Sequence, residues 1–421
     1  MYTLLYNIGE IVQISISKEP FKTQSLMRDL HILNNGAIVI KDSEIFDIGF
    51  NDEIQTKYAN TVFSYKFDVK GNSVVPGLVD AHTHPVFAGD RVHEFAMKLD
   101  GKTYMDIHKA GGGIMYSVNC VKNANESTLY ESLNQRLNKF LKSGTTLVEC
   151  KSGYGIDTEN EIKMMKVIKR AQDHMKISIV STYLPAHTIP PGMTENEMAN
   201  LICDEEIPIV KKMIEQGEIN PEQIDVFCEK NIYELESTER ILRAGKSIGL
   251  EGNFHGEELN CLNSCVMGGN LGVRSISHLE YTSDEDIAAM RDSKVCAVLL
   301  PSTQYILHLP IPPVRKMIDE GVIVALGSDF NPNAWCYDMK FIMNLACVNY
   351  RMNMPEALVA ATLNAAASIG RSHLYGSIEI GKKADLLVLN CANWEHIIYE
   401  ICDSPISLIF KHGELVHDFS N

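Results

Sequence analysis

The residues best suited to chemistry begin with His82 and His84, which stand two positions apart in the segment GLVDAHTHP. Side chains two apart on an extended segment point the same way, so both imidazoles can hold one ion. His255 and Asp329 add a nitrogen and an oxygen, each at the end of an apolar segment. Three nitrogens and one oxygen suit zinc or iron, and a water molecule in the remaining position makes such a site hydrolytic. We therefore predict a metal site formed by these four residues.

Eight short apolar segments must position these side chains, and they alternate with longer amphipathic segments, as in βα units. The predicted strands cover residues 77–82, 145–150, 177–184, 224–229, 250–255, 274–278, 295–300 and 322–329. Eight such units predict an α/β fold of the (β/α)8 TIM type, whose catalytic residues lie at the carboxyl ends of the strands. The alternative is a doubly wound open sheet. It would need a glycine-rich phosphate loop after its first strand, where this chain has His-Thr-His-Pro.

Both ends of the chain are rich in short β segments, with a predicted hairpin around Gly413 and a turn at 381–382 between two apolar strands. We therefore predict that residues 1–75 and 371–421 build one small β-sandwich domain beside a barrel spanning 76–370. A loop-like stretch at 85–125 follows the first strand, and long loops in compact domains are usually functional. We expect this stretch to cover the active site, with a hinge at the glycines 111–113.

The charge balance of the 421 residues excludes some classes of protein. The chain has 38 Lys and Arg against 54 Asp and Glu, a net charge of −16, which argues against a nucleic-acid-binding surface. There is no apolar run of ~18 residues and no signal-like start, so we expect neither a membrane span nor secretion. The 11 cysteines include no CxxC pair, which suits a reducing compartment and predicts a cytoplasmic protein.

Long segments spread from about residue 76 to 350 carry a family resemblance. They are HTHPVFAGDRVHEFAMKLDGKTYMDIHKAGGGI, LVECKSGYG, YLPAHTIP, IDVFCE, NFHGEEL, ISHLEY and VALGSDFNPNAWC. These segments resemble the imidazolonepropionases, which belong to the amidohydrolase superfamily of metal-dependent barrel hydrolases. The resemblance implies hydrolysis of the cyclic amide of 4-imidazolone-5-propanoate to N-formimidoyl-L-glutamate, in histidine degradation. It also implies one zinc or iron ion per subunit, bound by the four residues named above, and a homodimer.

The resemblance also implies roles for individual residues. Glu258 matches the family's acid/base position, His278 matches the histidine that orients water, and Asp329 would accept the proton of that water. The implied substrate contacts are Arg91, Tyr154, His187, Glu258, Asn331 and Asn333. Asn333 and Ala334 stand where bacterial members usually have Gly-Thr or Gly-Ser, so the contacts of these two positions are open.

Several alternatives compete with this interpretation. Arg91 offers a planar fork for a carboxylate, but it can equally form an ion pair with Asp90 or Glu94. Lys151 raises the possibility of a carbamylated lysine bridging two metals. It follows the second predicted strand and not the fourth, so we expect a single ion. As a whole, the chain could instead be a deaminase of exocyclic amines or a non-catalytic scaffold barrel.

Overall fold

The computed structural model describes residues 1–102, 106 and 112–420. The first strands in the chain are β1 (Tyr2–Val12), β2 (Ile32–Lys41), β3 (Glu44–Phe50), β4 (Tyr65–Asp68) and β5 (Ser73–Pro76). Next come β6 (Leu78–Asp80), β7 (Thr145–Lys151), β8 (Ser178–Ala186), β9 (Gln223–Val226), β10 (Glu251–Gly256), β11 (Ser275–His278), β12 (Cys296–Leu299) and β13 (Ile323–Leu326). The last are β14 (Leu386–Leu389), β15 (Ile406–Lys411) and β16 (Glu414–Asp418).

Strands β6 to β13 pair side by side in chain order, and each pairing is parallel. Backbone hydrogen bonds just beyond the strand ends bring the eighth strand back to the first. The N–H of Asp329 donates to His82 O at 3.0 Å, and the N–H of His84 donates to Phe330 O at 2.8 Å. The predicted barrel is therefore confirmed, and all eight predicted strands overlap the observed ones.

Helices fill most of the connections between these strands. They cover Asn51–Lys57, Val92–Leu99, Ile114–Asn123, Glu126–Lys142, Thr158–His174, Glu195–Leu201, Ile207–Glu215, Leu235–Ser247, Ser264–Leu271, Asp284–Ser293, Pro301–Leu307, Val314–Glu320, Met339–Tyr350, Met354–Ala360, Leu363–Ser368 and His396–Tyr399. Helix Glu126–Lys142 illustrates their origin, because Asn125 caps it by accepting from the N–H of Thr128 at 2.9 Å. Its leucines 129, 133 and 137 recur at helical spacing and are buried on one face.

Both chain ends contribute to the second sheet, whose order is β16-β15-β14-β5-β1-β2-β3, with β4 paired to β1. A separate apolar core lies within it and includes Ile8 and Ile38 from the first part of the chain and Leu386 and Phe410 from the last. The predicted sheet domain from both ends is confirmed, including the hairpin around Gly413. The apolar strand predicted before 381–382 is wrong, because residues 376–380 form turns and irregular backbone.

The stretch 85–125 is not a loop, contrary to expectation, because it contains helices Val92–Leu99 and Ile114–Asn123. Part of the hinge predicted at 111–113 lies outside the described residues. Among the residues that the structure describes, no helix is both long and apolar enough to cross a membrane.

Candidate metal centre and active site

Four side chains converge at the carboxyl end of the barrel. His82 and His84 follow β6, His255 lies in β10, and Asp329 follows β13. The Nε2 atom of His84 is 3.3 Å from Nε2 of His82 and 3.2 Å from Nε2 of His255. Oδ1 of Asp329 lies 3.6 Å from Nε2 of His82 and 3.5 Å from Nε2 of His84. The four residues predicted from the sequence as metal ligands are therefore brought together.

The chemistry of this donor set fits a metal ion. Nδ1 of His255 is 2.8 Å from Oδ1 of Asp225, and because an ionised carboxylate only accepts, this Nδ1 carries the ring proton. Nδ1 of His82 is hydrogen-bonded to Ser277 Oγ at 2.8 Å. Burial lowers the pKa of His82, His84 and His255, so the rings are neutral, as metal ligation requires. Neutral rings that turn their lone pairs toward one another at this distance fit a cation between them.

A buried ionic network lies behind His255. Nζ of Lys151 is 2.6 Å from Oδ2 of Asp225 and 2.8 Å from Oε1 of Glu149, and all three side chains are buried. Burial opposes ionisation of Asp225, but His255 and Lys151 hold the pKa of its carboxyl well below the usual range. Lys151 therefore serves as the counter-ion of the carboxylate that orients His255, and this contact accounts for its place at the end of β7.

A second group of titratable residues stands beside the ligands. Nε2 of His278 is 3.5 Å from Oε2 of Glu258, and its Nδ1 is 3.8 Å from Oε2 of Glu280. Burial alone would lower the pKa of His278, but the two carboxylates raise it to about 10. Burial raises the pKa of Glu258 to about 7 against the opposing charge of His278. The pair therefore combines a cationic hydrogen-bond donor with an acid that holds its proton near neutral pH.

His84, His255 and Asp329 line one cavity of about 400 Å³ together with Glu258 and His278. Tyr154 and His187 line its wall, and both are buried. Nδ1 of His187 donates to Gly153 O at 2.8 Å, which leaves Nε2 with a lone pair to accept a hydrogen bond. Burial, reinforced by the His255 ring, lowers the pKa of His187 to about 3, so this ring stays neutral. The ring of His187 also stacks on His84 at a centroid distance of 5.0 Å.

Arg91 lines the same cavity but already has a carboxylate partner. Its Nε donates to Oε1 of Glu94 at 2.8 Å and its Nη2 donates to Oε2 at 2.6 Å. Glu94 also accepts from the N–H of Gly113 at 2.8 Å. Of the two readings of Arg91 left open by the sequence, the ion pair with Glu94 is present. The ion pair places the guanidinium at the cavity wall.

The segment after Asp329 forms a tight turn at the cavity rim. Oδ1 of Asn331 accepts from the N–H groups of Asn333 at 2.7 Å and Ala334 at 3.1 Å. Both asparagines line the cavity, and the side-chain oxygen of Asn333 accepts a hydrogen bond from Nζ of Lys98. Asn331 is therefore held by its own turn, whereas Asn333 connects the turn to helix Val92–Leu99.

Sequence reasoning missed several residues that support the site. Asp225 could have been identified from the sequence, because it is an acidic residue inside the predicted strand 224–229. Glu94 was considered only as a partner of Arg91, and nothing in the sequence marked Lys98. Glu229, the last residue of the predicted strand 224–229, accepts from the N–H of Leu259 at 2.9 Å and thus anchors the loop after β10.

Solved structures of similar fold include a guanine deaminase and a triazine hydrolase variant. A guanine deaminase from C. acetobutylicum has a TM-score of 0.73 at 18% identity, covering 99% of this chain and all of its own. A triazine hydrolase variant has a TM-score of 0.76 at 16% identity, covering 99% of this chain and 95% of its own. At these identities the comparison shows the fold alone.

Sequence relatives are much closer. The profile of the Amidohydrolase family matches residues 232–416. A Dictyostelium discoideum protein named probable imidazolonepropionase is 54% identical over 417 residues, covering 99% of this chain and 97% of its own. A Bos taurus protein of the same name is 52% identical over 398 residues, covering 94% of this chain and 93% of its own. Because half of the residues are identical over nearly the full length of both chains, this chain belongs to the imidazolonepropionase family of amidohydrolases.

Proposed function

We propose that the chain hydrolyses the cyclic amide bond of 4-imidazolone-5-propanoate and releases N-formimidoyl-L-glutamate. The observation that carries the proposal is the donor set of three histidines and one aspartate, which lies beside the Glu258–His278 pair at one cavity. The choice of substrate is supported by relatives named probable imidazolonepropionase, which are about half identical over nearly the whole chain.

The donor set would hold one metal ion through Nε2 of His82, His84 and His255 and through a carboxylate oxygen of Asp329. Bound there, the ion would make a water molecule nucleophilic near neutral pH. The carboxylate of Asp329 takes up the proton of the attacking water as the water adds to the ring carbonyl. Its other oxygen accepts a hydrogen bond from Thr303 Oγ1, which fixes the carboxylate in place.

The ring carbon–nitrogen bond breaks only when the departing nitrogen receives a proton. Glu258 supplies that proton, because its raised pKa keeps the carboxyl protonated near neutrality. The cationic His278 donates a hydrogen bond toward the oxygen that gains negative charge and orients the attacking water. The water proton held by Asp329 restores the acid after release of the product.

We assign the substrate contacts to residues that line the cavity. Arg91 faces the propionate carboxylate, and Tyr154 and His187 face the imidazolone ring. The lone pair on Nε2 of His187 accepts from a ring N–H. Asn331 and Asn333 close the rim around the propionate arm.

We further propose zinc or iron as the metal, one ion per subunit, in a cytoplasmic homodimer of the histidine-degradation pathway. Nitrogen and oxygen donors in a four-residue set are compatible with either metal. The domain limits proposed are 1–75 and 371–421 for the β-sandwich domain and 76–370 for the barrel.

The decisive assay follows the loss of imidazolone absorbance after the metal-loaded protein is added to freshly generated substrate. Wild-type protein should turn the substrate over, and His255→Ala should lose both metal and activity. His174→Ala is the matched control, because this histidine is exposed at the end of helix Thr158–His174. Ammonia release from guanine with no ring opening of imidazolone would favour a deaminase instead. Elemental analysis of the purified protein distinguishes zinc from iron.

A further inference from the structure

The anionic substrate of the proposed reaction meets little free positive charge at Arg91. Glu94 is buried and binds the guanidinium through two hydrogen bonds, so the pair carries no net charge. The same cavity is lined by the carboxyl groups of Glu258 and Asp329. A further cation near Arg91 would therefore strengthen the binding of a substrate carboxylate at this wall.

Lys98 lies seven residues after Arg91 and belongs to helix Val92–Leu99. Its Nζ donates to Oδ1 of Asn333, which lines the cavity together with Arg91. The acceptor is a neutral amide oxygen, so this hydrogen bond leaves the lysine charge in place. An ammonium group has three N–H bonds, and the one directed at Asn333 holds the head at the rim of the cavity.

The surroundings of Lys98 also favour a bound anion. The side chain is half-buried, and burial followed by the charge of Arg91 lowers the pKa of its ammonium group, although Glu94 partly opposes this shift. A carboxylate placed between the two cations would offset both the lost solvation and the repulsion. Neither effect would be relieved by a neutral ligand.

We propose that Lys98 is a substrate-binding residue of this site. Held by Asn333, its ammonium group binds the propionate carboxylate together with Arg91, and it supplies the positive charge that Glu94 removes from Arg91. Lys98 thereby selects substrates whose side arm ends in a carboxylate. This inference rests on the proposed function, because it concerns the substrate of that reaction.

The test compares two substrates, 4-imidazolone-5-propanoate and its neutral propionamide analogue, on metal-loaded protein. Lys98→Met should raise KM for the carboxylate substrate by about 10- to 100-fold, the effect of losing one charged hydrogen bond, with kcat unchanged. KM for the propionamide should not change. Lys98→Arg should restore most of the affinity because it keeps the charge, and Lys98→Gln serves in place of Lys98→Met if the latter does not fold.

Lys212→Met is the matched control, because it removes the same charge from an exposed position in helix Ile207–Glu215 and should leave both substrates unaffected. An unchanged KM for the carboxylate substrate in Lys98→Met overturns the inference. So does an equal rise for both substrates, which would mean that Lys98 only supports the turn at Asn333. Wild-type protein that turns over neither substrate refutes the proposed function and this inference with it.

Discussion

Replacing Asp225 by asparagine tests whether the ionic network behind the ligands controls the metal site. Asp225 is not among the residues that line the candidate active-site cavity, but its Oδ1 accepts from Nδ1 of His255 at 2.8 Å and its Oδ2 from Lys151 at 2.6 Å. An amide at this position can donate as well as accept. It can therefore hold His255 with its proton on Nε2, where the lone pair for the metal should be.

The size of the effect follows from these contacts. Loss of a group that orients a ligating histidine costs about 10- to 100-fold in metal affinity, or about 1.4–2.7 kcal/mol. Lys151 retains Glu149 at 2.8 Å, so its charge does not become wholly unpaired. We therefore expect the metal-free protein to lose only about 1–3 kcal/mol of unfolding free energy, the cost of an imperfectly satisfied buried polar group.

The assay measures metal per chain by elemental analysis after equilibration with chelators of known affinity, and it measures unfolding of the metal-free protein in urea. Asp173→Asn makes the same chemical change in an exposed ion pair with Lys169 and should alter neither quantity. Metal affinity equal to that of the wild type in folded Asp225→Asn protein would refute the assigned role of the network.

Three further outcomes are expected. Glu258→Gln should keep its metal and its fold but lose about 10²- to 10⁴-fold in kcat. The kcat of the wild-type protein should fall as the pH rises through about 7, because only the protonated carboxyl group can donate its proton. Equal rates for the two proteins, or a flat pH profile, would count against Glu258 as the acid. Gly9→Ala should destabilise the sheet domain by roughly 1–3 kcal/mol in urea unfolding, since a Cβ there would lie 2.1 Å from the carbonyl oxygen of Gly71. Glu161→Gln should raise KM and lower stability, because Glu161 accepts three backbone N–H groups from the loop that carries Tyr154; unchanged KM would separate that loop from substrate binding.

The barrel was predictable because its strands are short apolar runs buried on both faces. The segment 145–150 illustrates this, since every residue of the observed strand Thr145–Lys151 is buried. The four ligands were also predictable, because the carboxyl ends of all the strands of a barrel lie at one face. Residues at these ends therefore come close together even when they are far apart in the sequence.

The stretch 85–125 was wrongly predicted as a loop because its helices are short and one of them exposes its apolar residues. Val92, Phe95 and Leu99 recur at helical spacing in Val92–Leu99, yet all three are largely exposed. The buried face of this helix carries Glu94 instead. The apolar spacing therefore predicts the wrong buried face for this helix and does not reveal the hydrogen bond of Lys98 to Asn333.

Partners between strands could not be predicted either, since they depend on register. Asp225 and His255, for example, are 30 positions apart in the chain and lie on the neighbouring strands β9 and β10. Alternation along a strand says which side chains point inward. The alternation does not give the register between neighbouring strands, and the register decides which carboxylate contacts which ring nitrogen.

The network behind His255 shows why this register matters for the chemistry. Burial raises the pKa of Glu149, whereas His255 and Lys151 hold that of Asp225 well below its usual range. That carboxylate fixes the proton of His255 on Nδ1 and directs its Nε2 lone pair at the other ligands. If the strand that carries Asp225 were shifted by one residue against the strand that carries Lys151, the two side chains would point to opposite faces of the sheet. The orientation of His255 is therefore set by the pairing of strands β7, β8, β9 and β10 in the barrel.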